Sequence, residues 1–432
     1  MYEGSVFGRL DQQLQKAIHD VSYDEPTPIQ EQAIPKLLDG RDLIGIAQTG
    51  TGKTAAFMLP ILNHLIKFRK ARHIGHPRVL ILSPTRELAM QTAENTGKYA
   101  KYSKLPFACL IGGVSQFAQV KDVKRGAEIV IACPGRLIDL MTQGIIYLDQ
   151  VECFVLDEAD RMLDMGFLPD IKRIISKLPC ARQTMFFSAT MSNAISKLAG
   201  ELVKDPVQIK INPEAPTVEK INQRVMLVDK GAKDSLLIHL LKTHPEWTKV
   251  MVFAKMRHGA DRVCKKLRRE NINCAAIHSD KTQGQRTRAL AGFKSGETRV
   301  LVATDIASRG IDVPEVSCVI NIDLPMEAES YVHRIGRTAR AGESGIAISF
   351  VASEERGQLK AIERLIKKTI QIDRDHPYHS QTVEVKAGKQ REGLSQAPWV
   401  HPANRNRNNR KYHNHRSNQG RRQPDFGQKR EI

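Results

Sequence analysis

The stretch Ala47-Gln48-Thr49-Gly50-Thr51-Gly52-Lys53-Thr54 follows the apolar run Asp42-Leu43-Ile44-Gly45-Ile46 and leads into Ala55-Ala56-Phe57-Met58-Leu59. The order reads as strand, small-residue turn, helix. A turn of this kind points backbone N–H groups inward around an anion, and the helix N-terminus adds partial positive charge. In that pattern the main chain of Gln48, Thr49, Gly50, Thr51 and Gly52 wraps phosphates. Lys53 reaches the β- and γ-phosphates, and the Thr54 hydroxyl holds Mg²⁺. Ala47 stands where the strict pattern has its first Gly. Alone, the stretch also fits an ordinary turn before a helix, so the rest of the chain must decide.

At 432 residues the chain is too long for one core, which predicts two domains plus extras. The formal net charge is +19, and such a charge calls for a polyanionic partner. No apolar run approaches the roughly 20 residues that span a bilayer, so no membrane partner is expected. The N-terminus Met1-Tyr2-Glu3-Gly4 has no basic-then-apolar signal region. Seven scattered Cys form no Cys-x-x-Cys pair. They read as free thiols in a reducing cytoplasm, not as a zinc site or a disulfide framework.

Strand-length apolar runs alternate with helix-length segments. Those in the first half are Asp42–Ile46, Val79–Leu82, Ala108–Ile111, Ile129–Cys133, Cys153–Leu156 and Thr184–Phe187. Those in the second are Val225–Val228, Val250–Phe253, Cys274–Ile277, Val300–Ala303, Cys318–Ile322 and Ile346–Val351. Near-continuous runs separated by helices predict parallel sheets covered on both faces. The pattern halts near Asp205-Pro206-Val207 and restarts after Asn212-Pro213-Glu214-Ala215-Pro216. This gives an α/β chain with a first domain over 1–207, a linker over 208–218 and a second domain over 219–372. The halves share an element order without a residue-level repeat. From Asp373 on, the chain carries 13 Lys+Arg against 6 Asp+Glu. Its Asn/Arg/His/Gln-rich end has too little apolar surface to fold alone. We read 373–432 as a basic, disordered arm for RNA or protein partners.

Phe154-Val155-Leu156 ends in Asp157-Glu158-Ala159-Asp160. An acidic pair just past a strand, in a chain with a phosphate loop, suits ATP hydrolysis. Asp157 would hold Mg²⁺, and Glu158 would position or deprotonate the attacking water. Upstream lie Phe7 and the segment Tyr23-Asp24-Glu25-Pro26-Thr27-Pro28-Ile29-Gln30. The Gln30 amide offers a donor and an acceptor suited to adenine, and Tyr23 a stacking face.

With these pieces assembled, the chain resembles the DEAD-box ATP-dependent RNA helicases over about residues 1–372. Pro84-Thr85-Arg86-Glu87-Leu88-Ala89, Gly112-Gly113 and Pro134-Gly135-Arg136 resemble RNA-contacting motifs, with Cys133 in a usual Thr position. Ser188-Ala189-Thr190 resembles the motif that couples hydrolysis to strand opening. In the second half, Val252-Phe253-Ala254-Lys255 and Gln283-Gly284-Gln285-Arg286 match weaker motifs. The run Ala303-Thr304-Asp305 through Asp312 and the run His333-Arg334-Ile335-Gly336-Arg337-Thr338-Ala339-Arg340 match strong ones. Ala339 replaces a usual Gly. The N-terminus, the Thr287-Arg288-Ala289-Leu290 segment and the basic tail look most like the bacterial RhlE-type subgroup.

The resemblance implies two tandem RecA-like domains closing on ATP and Mg²⁺. Arg337 and Arg340 would reach the γ-phosphate, and Gly310 and Asp312 would line the nucleotide. RNA would cross the opposite surface, held by Pro84, Thr85, Arg86, Gly113, Gly135, Arg136, Arg286 and Thr304, with little sequence preference. The implied activity is a cytoplasmic, RNA-stimulated ATPase that separates short duplexes locally or remodels RNA–protein complexes. An ATP-gated RNA clamp or annealing scaffold is the alternative. Ribosomal or RNA-decay proteins are the partners expected at the tail.

Overall fold

The computed structural model describes residues 2, 4–48, 50–211, 221–305, 316–338 and 345–384. They build two sheets of seven strands, every pairing parallel. The first sheet runs β3 (Phe107–Leu110), β4 (Ile129–Ala132), β2 (Val79–Leu82), β5 (Cys153–Leu156), β6 (Gln183–Ser188), β1 (Leu43–Ile46), β7 (Val207–Lys210). The second runs β10 (Cys274–Ile277), β11 (Val300–Ala303), β9 (Val250–Phe253), β12 (Cys318–Asn321), β13 (Gly345–Val351), β8 (Ile221–Leu227), β14 (Gln371–Asp373). Adding seven to each strand number of the first sheet yields the second, so the repeat lies in topology and not in residues.

Each central strand feeds two cores because successive side chains point to opposite faces. In β2, Val79 and Ile81 enter one core while Leu80 and Leu82 enter the other. In β9, Val250 and Val252 face one way, and Met251 and Phe253 the other. Burying such a side chain contributes about 1.5–3 kcal/mol, so continuous apolar runs are needed where helices cover both faces.

Three boundaries differ from the sequence reading. Strand β7 takes Gln208, Gln208's neighbour Ile209 and Lys210 out of the expected linker. Strand β8 starts at Ile221, ahead of Val225. The folded region continues past Asp373: Ser380 donates its N–H to the Leu227 carbonyl at 3.0 Å, and Val383 is buried. Residues 212–220 and 385–432, which hold the rest of the linker and most of the tail, lie outside the described residues. All seven Cys are free thiols, with Cys180 exposed. Among the described residues no helix is long and apolar enough to cross a membrane.

Candidate nucleotide and nucleic-acid site

Parallel α/β sheets bind ligands beyond the carboxyl ends of their strands. The motif residues collect there. The phosphate loop follows β1, Thr85 and Arg86 follow β2, Gly112 follows β3, Pro134 follows β4, Asp157 follows β5, and Ser188 ends β6. Ala47 is accommodated as a continuation of β1, donating its N–H to the Ser188 carbonyl at 3.0 Å. The Lys53 ammonium, nearly buried, is held across the loop by the Ala47 carbonyl at 3.0 Å. Thr51 Oγ1 donates to the Gln48 carbonyl at 2.8 Å. Thr54 is half-buried in the first turn of the helix Lys53–Lys67. Gly52 has φ +95°, and a Cβ there would lie 2.5 Å from Gln30 Nε2, so only glycine fits. Thr49 lies outside the described residues.

Gln30 is hydrogen-bonded within the chain. Its Oε1 accepts from the Thr27 N–H at 3.0 Å, and its Nε2 donates to the Gly52 carbonyl at 3.2 Å. The amide therefore ties the upstream turn to the phosphate loop. Phe7 is fully buried, edge-on to Tyr2 with centroids 5.5 Å apart. Tyr23 is half-buried, its hydroxyl 2.9 Å from that of Tyr99.

The acidic segment is buried. Asp157 is 2% exposed, and its Oδ1 has no hydrogen-bond partner among the described residues. Burial pushes its carboxyl up to about 6, with Lys53 opposing and Glu158 adding to the rise. An orphaned buried carboxylate oxygen costs free energy unless a cation or bound water satisfies it. This fits Mg²⁺, which Asp157 and Thr54 would hold. Glu158 sits in the left-handed region at φ 52°, a conformation costing roughly 1–2 kcal/mol for a residue with a Cβ. Its Oε2 pairs with Arg161 Nη1 at 2.9 Å, both side chains buried. Asp160 reaches a different motif: its Oδ2 accepts from the Ala189 N–H at 3.0 Å, the Thr190 N–H at 2.9 Å and Thr190 Oγ1 at 3.2 Å. Ser188 Oγ accepts from the Asp160 N–H at 3.3 Å and donates to the Thr190 carbonyl at 2.7 Å.

A second cleft of about 460 Å³ has walls from both halves, including Pro84, Thr85, Arg86, Gly135, Arg136 and Arg286. Thr85 caps the helix Arg86–Tyr99, accepting from the Leu88 N–H at 3.4 Å. Gly113 has φ +74°, and any Cβ there would run into the Arg86 guanidinium. Arg136 Nη2 donates to the Val114 carbonyl at 3.1 Å, while its Nη1 is buried without a hydrogen-bond partner among the described residues. Burial pushes the Cys133 thiol up to about 12, so it is neutral. Thr304 is buried just past β11.

Four residues outside the expected site organise it. Glu87 Oε2 pairs with Arg286 Nη2 at 2.6 Å, and Glu87 Oε1 accepts from Gln283 Nε2 at 3.3 Å. Burial pulls the Arg286 guanidinium below its ordinary value, with Glu87 opposing. Arg334 grips both Asp305 oxygens at 2.6 and 2.7 Å and donates to the Asp323 carbonyl at 2.7 Å. All four sit inside the quoted motifs, but a carboxylate among basic contacts reads as solvated until its partner is placed. Arg337 is buried one turn beyond Arg334. Gly310, Asp312 and Arg340 lie outside the described residues.

Residues 27–198 match the DEAD/DEAH box helicase family, and residues 232–342 match the helicase conserved C-terminal domain. The chain belongs to the DEAD-box ATP-dependent RNA helicases. The ATP-dependent RNA helicase RhlB of Pseudomonas putida is 44% identical over 370 residues, covering 84% of this chain and 93% of its own length. SrmB of Escherichia coli is 43% identical over 363 residues, covering 84% and 81%. This chain spans only 61% of the length of the Arabidopsis thaliana DEAD-box ATP-dependent RNA helicase 30, at 42% identity. Among solved structures, Mss116p bound to ssRNA and AMP-PNP superimposes with TM-score 0.77 at 31% identity, over 88% of this chain and 80% of that one. S. cerevisiae Dbp5 bound to RNA and ADP BeF3 gives 0.75 at 31% identity, over 88% and 97%. For this DEAD-box chain, then, both seven-stranded sheets are RecA-like.

Proposed function

We propose that this chain is an RNA-stimulated ATPase that separates short RNA duplexes locally, without tracking along them. The carrying observation is the buried Glu87–Arg286 pair. It joins the two halves one residue away from Arg86, in the wall of the cleft assigned to RNA. A TM-score of 0.77 over 88% of the chain cannot come from one half alone, which supports a closed arrangement like that of the RNA-bound relative.

In this reading Lys53 and the phosphate-loop amides hold the nucleotide, and Asp157 and Thr54 hold Mg²⁺. When bound, Mg²⁺ would offset phosphate charge. Glu158 orients the attacking water and takes its proton, and Arg337 and Arg340 arrive from the second half. Hydrolysis therefore needs closure, and an arginine supplied this way is worth about 10³–10⁵ in rate. RNA and ATP tighten each other by the same factor.

A magnitude sets the reach. ATP bound at micromolar affinity releases about 8 kcal/mol. A duplex step costs roughly 1.4 kcal/mol on the DNA scale. One closure thus opens about half a dozen pairs. The test is strand displacement on RNA duplexes of increasing length with ATPase followed in parallel. The expected result is a steep loss of displacement beyond roughly one helical turn at constant ATPase. Equal displacement of long duplexes would refute the local mechanism, and ATPase without displacement would favour a clamp.

The RhlE-type assignment, a cytoplasmic location and ribosomal or RNA-decay partners at the basic tail belong to the same reading. Truncation after Glu384, which spares buried Val383, should lower RNA affinity and its salt slope while leaving ATPase intact.

A further inference from the structure

Phe117 is 77% exposed, more than any other large apolar side chain among the described residues. The backbone that presents it is fastened at three points. Arg136 Nη2 holds the Val114 carbonyl at 3.1 Å. Ser115 Oγ accepts from the Phe117 N–H at 3.3 Å, capping the helix Gln116–Lys124. The Gln116 and Gln143 side-chain amides exchange hydrogen bonds of 3.3 and 3.2 Å, tying this helix to the one that carries Arg136. Gly113 opens the segment with Arg86 packed where a Cβ would be.

Folding does not call for this arrangement. The helix buries Gln119 and Val123 and leaves Phe117 outside its own core face. A fixed backbone that displays a flat ring in water gains nothing until something covers the ring. The guanidiniums of Arg86 and Arg136 hold the turn that leads into this helix, at Gly113 and at Val114, and both line the cleft. Cations for phosphates next to an aromatic face for a base is the chemistry of single-strand recognition.

We propose that Phe117 is a stacking platform for one base of single-stranded RNA leaving the cleft past Gly113. The proposal rests on the assignment of that cleft to RNA. Every base has a π-face, so the platform adds affinity without sequence preference. It also fixes where the strand turns out of the cleft.

The experiment is fluorescence anisotropy of a labelled ten-nucleotide oligouridylate on the full chain with a non-hydrolysable ATP analogue, across a salt series. Phe117→Ala should weaken binding roughly 5- to 150-fold, the range for loss of one stacked base. Its salt slope should match that of the parent, because no phosphate contact is lost. Phe117→Trp should restore affinity. Arg86→Ala should instead reduce the slope by about 0.7. A single abasic nucleotide moved along the oligomer supplies the decisive comparison. At one position it should weaken the parent yet cost Phe117→Ala nothing further.

Unchanged affinity in Phe117→Ala beside a loss in Arg86→Ala overturns the platform and leaves the cleft assignment standing. Losses in Phe117→Ala that add equally at every abasic position also overturn it, since they mark a structural role. Unchanged RNA affinity with loss of a protein partner assigns the ring to a protein contact and overturns it too. If the parent itself shows no nucleotide-dependent RNA binding, the cleft assignment falls.

Discussion

The Glu87 carboxylate lies 2.6 Å from the Arg286 guanidinium, and the two residues come from opposite halves of the chain. Both side chains are nearly buried, at 4% and 8% exposure. Removing one partner of a buried pair leaves an uncompensated charge, at a cost of about 3–5 kcal/mol. That cost falls on the closed arrangement, because separated halves hydrate both groups. Glu87→Gln should therefore weaken RNA binding with a non-hydrolysable ATP analogue by roughly a hundredfold or more. RNA binding without nucleotide should change little. Titration of labelled RNA with and without the analogue checks this, and an unchanged ratio between the two constants would remove the pair from closure.

Asp160 and Thr190 join the acidic motif to the motif after β6. Thr190→Ala deletes the 3.2 Å hydroxyl bond but keeps the backbone N–H bond at 2.9 Å, so the loss is about 1 kcal/mol. Asp160→Asn is harsher, because a neutral amide replaces an ionised acceptor of three donors in this motif. ATPase in Thr190→Ala should stay within a few-fold of the parent while duplex separation falls further. Parallel ATPase and displacement assays decide it: equal losses would mean that the contact only supports the fold.

Lys53 and Glu158 should separate binding from chemistry. In the proposed mechanism Lys53 faces the phosphates, so Lys53→Ala should abolish both nucleotide binding and turnover. Glu158→Gln keeps the side-chain shape but deletes the proposed base, a step worth roughly 10²–10⁴ in rate. It should bind ATP and hold RNA in a complex that does not turn over. Chase with unlabelled RNA measures the release, and release as rapid as from the parent in the presence of ATP would contradict the assignment of Glu158.

The parts of the fold visible in sequence are those where a single local signal suffices. Val79–Leu82 and Val300–Ala303 are buried on both faces and read as strands without context. Val207–Lys210 and Gln371–Asp373 escape because they are sheet edges with at most one buried side chain and no apolar run. Ile221–Arg224 escapes for a related reason: three of its four residues are polar and two of them are exposed. At the site, Lys53, Asp157 and Arg86 follow from motif spacing. The partners of Glu87 and Asp160 do not, because the groups they hold lie 199 and 30 positions further along the chain. The bridge that the Gln30 amide makes between Thr27 and Gly52 is likewise invisible in the sequence, because the motif alone does not place its partners.

The last expectation concerns acid stability far from the site. Glu152 Oε1 takes Arg78 Nε at 2.8 Å and Lys70 Nζ at 2.8 Å, and its Oε2 lies 2.9 Å from His64 Nε2. Burial alone would push this carboxyl up, but Arg78, Lys70 and His64 overcome it and bring it down to about 2. A carboxyl depressed in the folded state stabilises the fold above its ordinary value of 4.5, and that stabilisation fades as pH falls toward 2. Allowing for solvent at a side chain 25% exposed, the contribution is about 1–2 kcal/mol. Glu152→Gln should lower the midpoint of urea unfolding at pH 7. It should also flatten the decline in stability between pH 4.5 and 2. Urea melts of parent and variant across that window test the sign. A variant whose stability falls as steeply as the parent's would show that other carboxylates carry the acid limb.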